Sequence, residues 1–318
     1  MTIIEYTKGW HEVARDTYAY LQPRGQWGYS NAGFVVSDEQ CLLVDTLFSL
    51  DLTEQMLSSL RADILGQRSI DFLVNTHNNG DHCYGNQLVT GATIISSSAT
   101  AIDVAHDDPE LLKGTLESAS QLGSLGAYFQ HCFGDFDFSG ITVTAPTSTF
   151  TGELVVAVGT REVRLIELGP AHTVGDIVAF VPDVATLFAG DLLFVDGTPI
   201  LWAGPFSNWI RACNVMIGLQ PHRVVPGHGP VTDVKGIGRV RDYLEYVYSE
   251  SLSRYEAGVE PFDAALDIDL GIFVTWNDNE RLALNVAMAY HEFDPQRFGT
   301  PGALEAFTIM ANYREAKS

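Results

Sequence analysis

Basic residues are scarce in this chain of 318 residues. Lysine and arginine number 18 against 40 aspartate and glutamate, so the formal net charge is −22 at pH 7. Such a surface repels phosphate groups. We therefore expect neither nucleic acid nor an anionic membrane as a partner.

Cysteines and long apolar runs are also few. The four cysteines are widely spaced and form no CxxC pair, which favours a reducing compartment over a disulfide framework. No apolar run reaches the roughly 18 residues of a membrane span, and the first 20 residues lack the apolar core of a secretory leader. These features predict a cytoplasmic protein.

The rest of the composition is typical of a globular protein. Hydrophobic residues make up 46% of the chain, and it contains neither a repeat nor a Gly/Ser linker. A chain of about 300 residues can bury roughly three quarters of its unfolded surface. Apolar runs predict strands at 33–37, 41–45, 71–75, 93–97, 141–145, 153–158, 162–168, 177–181 and 186–190. Helical spacing predicts helices over 51–63, 100–131, 206–219, 233–258, 279–293 and 302–314. The mixture indicates an α/β protein with mixed sheets.

Polar residues capable of binding metal follow several of these apolar strands. His77 with His82, His172, and His228 each lie in a small-residue turn after a strand, and Asp191 has the same kind of place. Side chains at strand ends can converge on one edge of a sheet, where loops form binding sites. The sequence therefore predicts one site built from distant segments.

The segment from His77 to His82 has a spacing suited to metal ions. In an extended loop, His77, Asn79 and Asp81 point to one side and His82 to the other. One short stretch could then serve two ions, with Gly80 allowing a sharp turn. Neutral imidazole and carboxylate are ligands that zinc favours, although iron and manganese also accept them.

These motifs together resemble the signature of the metallo-β-lactamase-fold hydrolases. The matching elements are Thr76-His77-Asn78-Asn79-Gly80-Asp81-His82, Ala171-His172-Thr173, Ala189-Gly190-Asp191 and Pro226-Gly227-His228-Gly229. The resemblance covers roughly residues 20–232 and implies an αββα sandwich of two mixed β-sheets flanked by helices. We expect that domain over 1–232, with a C-terminal helical extension over 233–318 packed on it.

The resemblance also implies a role for each matching residue. His77 and His172 correspond to ligands of a first ion, and Asp191 corresponds to the carboxylate that bridges both ions. A second ion would be held by Asp81, His82 and His228. Asp81 has in addition the family's catalytic role of orienting or deprotonating the nucleophile.

Asn79 departs from the family pattern, which usually has histidine at this position. An amide oxygen is a weaker zinc ligand than imidazole. Three alternatives follow: a two-ion site with Asn79 as a weak ligand, a one-ion site held by Asp81, His82 and His228, or a fold without catalysis. The expected cofactor is Zn²⁺, one or two ions, with iron or manganese as alternatives.

The implied chemistry is hydrolysis of an ester, thioester or lactone by metal-bound hydroxide, since a metal lowers the pKa of its bound water toward 7. The stretches YAYLQPRGQWGYSNAGFVV and THNNGDHCYGN resemble, more loosely, aromatic polyketide cyclases and thioesterases. A ring cyclase or dehydratase using the same site is therefore an alternative. A binding protein that keeps the fold without catalysis is another.

Aromatic residues crowd the segments near the motifs, which predicts a hydrophobic or acyl small-molecule substrate, carrier-protein-bound in the polyketide alternative. They are Trp27, Tyr29, Phe34, Tyr84, Phe194, Trp202, Phe206 and Trp209.

A lid is expected from residues 109–130. The apolar faces of the C-terminal helices should cover the sandwich or form a homodimer contact. Asp45, at a strand end, should position the metal loop without binding metal.

Overall fold

Two β-sheets face each other in the computed structural model, which describes residues 4–23 and 25–317. The first sheet contains, in spatial order, β1 (Gly9–Ala14), β2 (Thr17–Leu21), β3 (Ala32–Ser37), β4 (Gln40–Val44), β5 (Phe72–Val74), β6 (Thr93–Ser97) and β7 (Ser148–Phe150). The second contains β12 (Arg223–Val225), β11 (Thr186–Phe188), β10 (Ile177–Val181), β9 (Arg161–Glu167) and β8 (Glu153–Val158).

Helices lie on the outer faces and in the connections. They are α1 (Leu50–Leu60), which a π-helical turn (Arg61–Leu65) extends, α2 (Gly80–Cys83), α3 (Ser98–Val104), α4 (Pro109–Glu117), α5 (Gly123–Phe133), α6 (Phe206–Gly218), α7 (Val234–Glu256), α8 (Pro261–Asp267), α9 (Arg281–Phe293) and α10 (Ala303–Lys317). No helix of the described ranges is both long and apolar enough to span a membrane.

Both sheets are mixed. In the first, β1 to β4 are antiparallel, whereas β4 to β7 run parallel because α1 and other crossovers separate them. In the second, β8 to β11 are antiparallel and β12 joins β11 in parallel. The prediction of two mixed sheets is confirmed.

The alternation of side chains along β4 shows how the layers pack. Leu42 and Val44 belong to the core between the sheets, together with residues of β9 such as Leu165. Leu43 points the other way and packs with Met56 of α1. From Cys41 to Val44 the strand is buried on both faces, so these four residues are all apolar rather than alternating.

The C-terminal helices cover the outer face of the second sheet. Leu244 of α7 and Leu282 of α9 belong to the same buried cluster as Val178 and Phe180 of β10. The result is the predicted αββα sandwich with helices on both outer faces. The boundary predicted at residue 233 stays a prediction.

Two predicted elements are wrong. Residues 141–145 alternate like a strand but pair with no strand of the described part of the chain, and Thr142 N donates to the side chain of Gln87 instead. The helix predicted over 100–131 is interrupted. Asp108 caps a new helix at α4, and Gly123, the first residue of α5, adopts a φ of 59°. The first strand pair, β1 with β2, was not predicted.

Candidate metal centre

Four loops meet at one end of the sandwich, and each follows a strand. His77 follows β5 of the first sheet, whereas His172, Asp191 and His228 follow β9, β11 and β12 of the second. All four side chains are buried. The predicted convergence therefore occurs between two sheets, rather than along the edge of one.

Asp191 lies at the centre of the histidines. Its Oδ2 is 3.4 Å from Nε2 of His172, 3.4 Å from Nε2 of His228 and 3.8 Å from Nε2 of His77. Its Oδ1 is 3.1 Å from Nε2 of His82. One carboxylate thus faces ring nitrogens from both predicted ion sites, as a bridging ligand must.

Asp81 completes the second predicted set. Its Oδ2 lies 3.2 Å from Nε2 of His228 and 3.9 Å from Nε2 of His82. Donor atoms of Asp81, His82 and His228 all fall within 4.8 Å of one another, and so do those of His77, His82 and Asp191. The structure brings the predicted residues together, while their role as ligands stays a prediction.

The metal loop is not extended throughout, so that detail of the prediction is wrong. From Gly80 the backbone forms the short helix α2, and His82 N donates to Asn79 O. The ring of Tyr84 lies where a side chain at Gly80 would be, 2.4 Å from an ideal Cβ. Asp81 and His82 therefore lie within a helical turn, which the period of two in an extended loop does not describe.

The site has the features of a pocket for cations. Nε2 of His77, Nε2 of His82 and Oδ1 of Asp191 are buried and make no hydrogen bond within the described residues. A Cβ at Gly227 would lie 1.8 Å from Asp191 Oδ1, so only glycine leaves room for the carboxylate. Tetrahedral zinc with bonds of about 2.1 Å separates its ligand atoms by about 3.4 Å. The residues present therefore fit zinc.

Three of the four histidines are held through Nδ1, which leaves Nε2 facing inward. His77 Nδ1 is 3.0 Å from Thr76 Oγ1, His82 Nδ1 is 2.9 Å from Asp45 Oδ2, and His172 Nδ1 is 2.8 Å from Ile200 O. Such partners orient a metal-binding ring. Nδ1 of His228 makes no hydrogen bond to any residue of 4–23 or 25–317.

Asp45 links two parts of the metal loop. In addition to His82 Nδ1, its carboxylate accepts the Thr76 N–H and the Thr76 hydroxyl, each at 2.7 Å. Asp45 adopts a φ of 63°, which is uncommon outside glycine and concentrates at functional sites. Asp45 thus contacts the metal loop at Thr76 and His82, and its expected role of positioning that loop without binding metal stays a prediction.

Without metal, the buried charges divide the histidines into two kinds. Burial lowers the pKa of His172 to about 4 and that of His77 well below its usual value. Burial opposes protonation of His228 too, but Asp191 and Asp81 outweigh it and raise its pKa to about 9. The three surrounding carboxylates likewise raise the pKa of His82. A metal ion bound by His82 and His228 must displace the protons from the Nε2 atoms of these two rings.

Asn79 faces His172 across the first predicted ion site. Its Oδ1 is 2.7 Å from His172 Nε2. Since His172 donates through Nδ1 to Ile200 and is neutral at pH 7, its Nε2 carries no proton, and two acceptors face each other. A cation relieves this arrangement, as does rotation of the amide. Asn79 therefore lies beside the first predicted ion site, and its role as a weak ligand stays a prediction.

We predict that Asn79→His strengthens metal binding at the first site. Imidazole replaces a weak amide ligand, so the affinity for zinc should rise roughly tenfold or more. Competition between the stripped protein and a chromogenic chelator measures it, with Asn78→His as the neighbouring control. Unchanged zinc affinity in Asn79→His would mean that position 79 takes no part in binding.

The predicted aromatic residues divide between the site and the core. Trp202 N donates to His172 O at 3.0 Å, and the ring of Phe194 packs against His172 and His228. Phe34 instead packs on Trp10 at the outer face of the first sheet. Trp209 also meets the ring of His172, with centroids 6.0 Å apart, and Trp27 packs against Trp202. Phe206 packs against Tyr248 of α7, and Tyr84 packs against Phe48.

Asn31 is a supporting residue that sequence reasoning missed. Its side-chain amide donates to Pro226 O at 3.0 Å and to Gly229 O at 2.8 Å, which fixes the loop that carries His228. The partners are almost 200 positions away along the chain. No local pattern connects them, so only the folded structure identifies the contact.

Comparison with known proteins gives one family. The sequence model of the metallo-beta-lactamase superfamily matches residues 25–228. A beta-lactamase-like protein 2 homolog of Caenorhabditis elegans is 24% identical over 206 residues, which cover 64% of this chain and 57% of that protein. A hydroxyacylglutathione hydrolase of Methylococcus capsulatus is 24% identical over 202 residues, which cover 61% of this chain and 55% of that protein. The chain thus spans little more than half the length of these relatives.

Solved structures share the fold. A metallo-beta-lactamase from Pontibacter korlensis superimposes with a TM-score of 0.58 at 19% identity, covering 75% of this chain and 99% of that one. The sec-alkylsulfatase Pisa1 from Pseudomonas sp. gives a TM-score of 0.69 at 14% identity, covering 93% of this chain and 52% of that one. The second likeness extends into the C-terminal helices.

Proposed function

Because the chain belongs to the metallo-beta-lactamase superfamily, we propose that it is a metal-dependent hydrolase of an ester, thioester or lactone. The observation that carries the proposal is the convergence of four histidine Nε2 atoms on the Asp191 carboxylate, at 3.1 to 3.8 Å. Metal-ligand atoms that lack a hydrogen-bond partner, in a buried site that contains carboxylates, would be stabilised by a bound cation.

The chain offers donors for two ions. His77, His172 and the Asn79 amide would hold the first; Asp81, His82 and His228 would hold the second. Asp191 would contact both. We propose Zn²⁺, and the same donors also accept iron or manganese. A bound divalent ion would lower the pKa of water and polarise the acyl carbonyl.

Asp81 is the residue we propose to handle the proton. Its side chain is 14% exposed, against 4% or less for the four histidines and Asp191, so it is the carboxylate nearest the open side. Burial raises its pKa, but His82 and His228 outweigh burial and lower it, so Asp81 is ionised at neutral pH. An ionised carboxylate can orient the attacking water and accept its proton.

A thioester or ester of a hydrophobic acid is the substrate class we favour. One relative is a hydroxyacylglutathione hydrolase, whose substrate is a thioester. Trp202, whose backbone N donates to His172 O, forms with Trp27 and Phe307 what we call the aromatic wall, with ring centroids 5.5 to 6.4 Å apart. All three are only partly buried, so they offer apolar surface to an acyl group.

Fewer observations support the polyketide cyclase and the non-catalytic binding protein. No feature of the described residues favours ring cyclisation of a polyketide, or a carrier-protein-bound substrate, over release of a free acid. A non-catalytic binding protein would not need Asp81 and Asp191, and both are present. Product analysis separates the three.

The test uses acetyl and benzoyl thioesters of N-acetylcysteamine in ¹⁸O-labelled water, with the matching nitrophenyl esters. We expect a free acid carrying one labelled oxygen, and a higher kcat/KM for benzoyl than for acetyl. Phe307→Ala should lower the benzoyl kcat/KM about 3- to 10-fold, and the acetyl value less, because an aromatic contact is lost.

Other outcomes would contradict the proposal in different ways. Loss of water from a poly-β-ketone thioester, without release of an acid, would favour the cyclase. Absence of turnover across these acyl compounds and lactones, in protein that has bound zinc, would favour a binding protein. Equal benzoyl rates in Phe307→Ala and the unaltered protein would remove the aromatic wall from the substrate site.

A further inference from the structure

His228 is held differently from the other histidines of the metal centre. Its ring is buried, yet Nδ1 makes no hydrogen bond with any described residue. The rings of His77, His82 and His172 are each fixed by a partner at Nδ1. Another contact must therefore determine the plane of the His228 ring.

Phe194 provides that contact. Its ring lies parallel to the His228 ring, with an interplanar angle of 3° and centroids 5.2 Å apart. The two residues are also joined through the backbone, since Val195 N donates to His228 O at 2.9 Å. The same phenylalanine meets the ring of His172 edge to face at 5.6 Å. It thus contacts one histidine from each proposed ion site.

Arg281 packs against Phe194 from outside the part of the chain that the family model matches. Its guanidinium carbon lies 5.2 Å from the Phe194 centroid and 4.1 Å from the Trp27 centroid. The group is buried, pairs with Asp278 at 3.1 Å and donates to Thr198 O at 2.9 Å. Because the guanidinium group is paired and hydrogen-bonded, its position is fixed, and it limits the movement of the Phe194 and Trp27 rings.

We propose that Phe194 is a positioning residue of the metal centre, which fixes the His228 ring plane by stacking, and that Arg281 braces Phe194. The rotation of the His228 ring decides whether Nε2 points at Asp81 and Asp191. The C-terminal segment thereby contributes to the site without supplying a ligand. The proposal rests on the metal centre of the proposed function.

The test measures zinc binding to protein stripped of metal, in competition with a chromogenic chelator. Phe194→Leu keeps an apolar side chain and removes the flat ring, so we expect the affinity for zinc to fall about 10- to 100-fold. The matched control is Phe188→Leu, because Phe188 is likewise buried and lies in the core between the sheets, where its ring packs on no histidine of the described ranges. It should leave the affinity within about twofold.

Two results would overturn the proposal: unchanged zinc affinity in Phe194→Leu, or an equal loss in Phe188→Leu. If circular dichroism shows that Phe194→Leu is unfolded, Arg281→Lys replaces it. That variant keeps the charge beside Asp278 but removes the planar group, and should weaken zinc binding in the same direction; unchanged affinity would overturn the proposal. No substrate is involved, so this result is independent of whether acyl compounds are hydrolysed.

Discussion

Asp191→Asn should abolish both metal binding and turnover. The carboxylate faces all four histidines, and its pKa is held well below the usual range because His228 and His82 outweigh the effect of burial. An amide in its place removes a negative charge and one of two acceptor oxygens. We expect less than one tenth of the native metal content, and kcat/KM lower by about 1000-fold or more.

Elemental analysis and the benzoyl thioester assay measure the two effects. Asp242→Asn is the control, since Asp242 lies on the exposed side of α7 and pairs with Arg241 at 3.1 Å. The same formal charge is lost there, without contact to the site. An Asp191→Asn protein that retained metal and more than a tenth of its activity would contradict the bridging role.

Asp45→Asn should weaken metal binding although position 45 binds no metal in our account. The Asp45 carboxylate accepts a hydrogen bond from His82 Nδ1, so the neutral His82 ring keeps its proton on Nδ1. When a metal displaces the proton from Nε2, the Nε2 lone pair then points into the site. An amide NH₂ at that place favours a lone pair on Nδ1 instead, so the remaining proton moves to Nε2. We expect a loss of about 10- to 100-fold in zinc affinity.

The same chelator competition checks this prediction. Asp71→Asn is a matched control, because Asp71 accepts the Cys41 N–H at 2.9 Å at the other end of the same strand pair. It should leave zinc affinity unchanged while costing a comparable hydrogen bond. Equal zinc affinity in Asp45→Asn and the unaltered protein would show that His82 needs no carboxylate partner.

Much of the site could be predicted because its signals are local. Each ligand candidate follows an apolar strand within a few residues, and the small residues around it are adjacent in sequence, such as Gly227 beside His228. The family resemblance then supplies the order in which the segments meet. The αββα architecture follows from the same resemblance and is confirmed by the two mixed sheets.

The contacts that support the ligands could not be predicted in this way. Asn31 reaches the loop of His228 across 195 positions, and Arg281 reaches Phe194 from a separate helix. Such contacts depend on how the layers pack, which periodicity does not encode. The short helix at Gly80 was missed for a related reason: four residues are too few to show a helical period.

The most direct test of this account is metal content with reconstitution. The protein is purified without chelator or histidine tag, analysed for metal, stripped, and reloaded stepwise with Zn²⁺ while benzoyl thioester turnover is followed. We predict one or two ions per chain, loss of turnover on stripping, and recovery in proportion to zinc bound. Two ions per chain would mean that the first site, which contains Asn79, is filled. One ion per chain would mean that binding by Asp81, His82 and His228 suffices for turnover. Full activity in the metal-free protein would contradict the account.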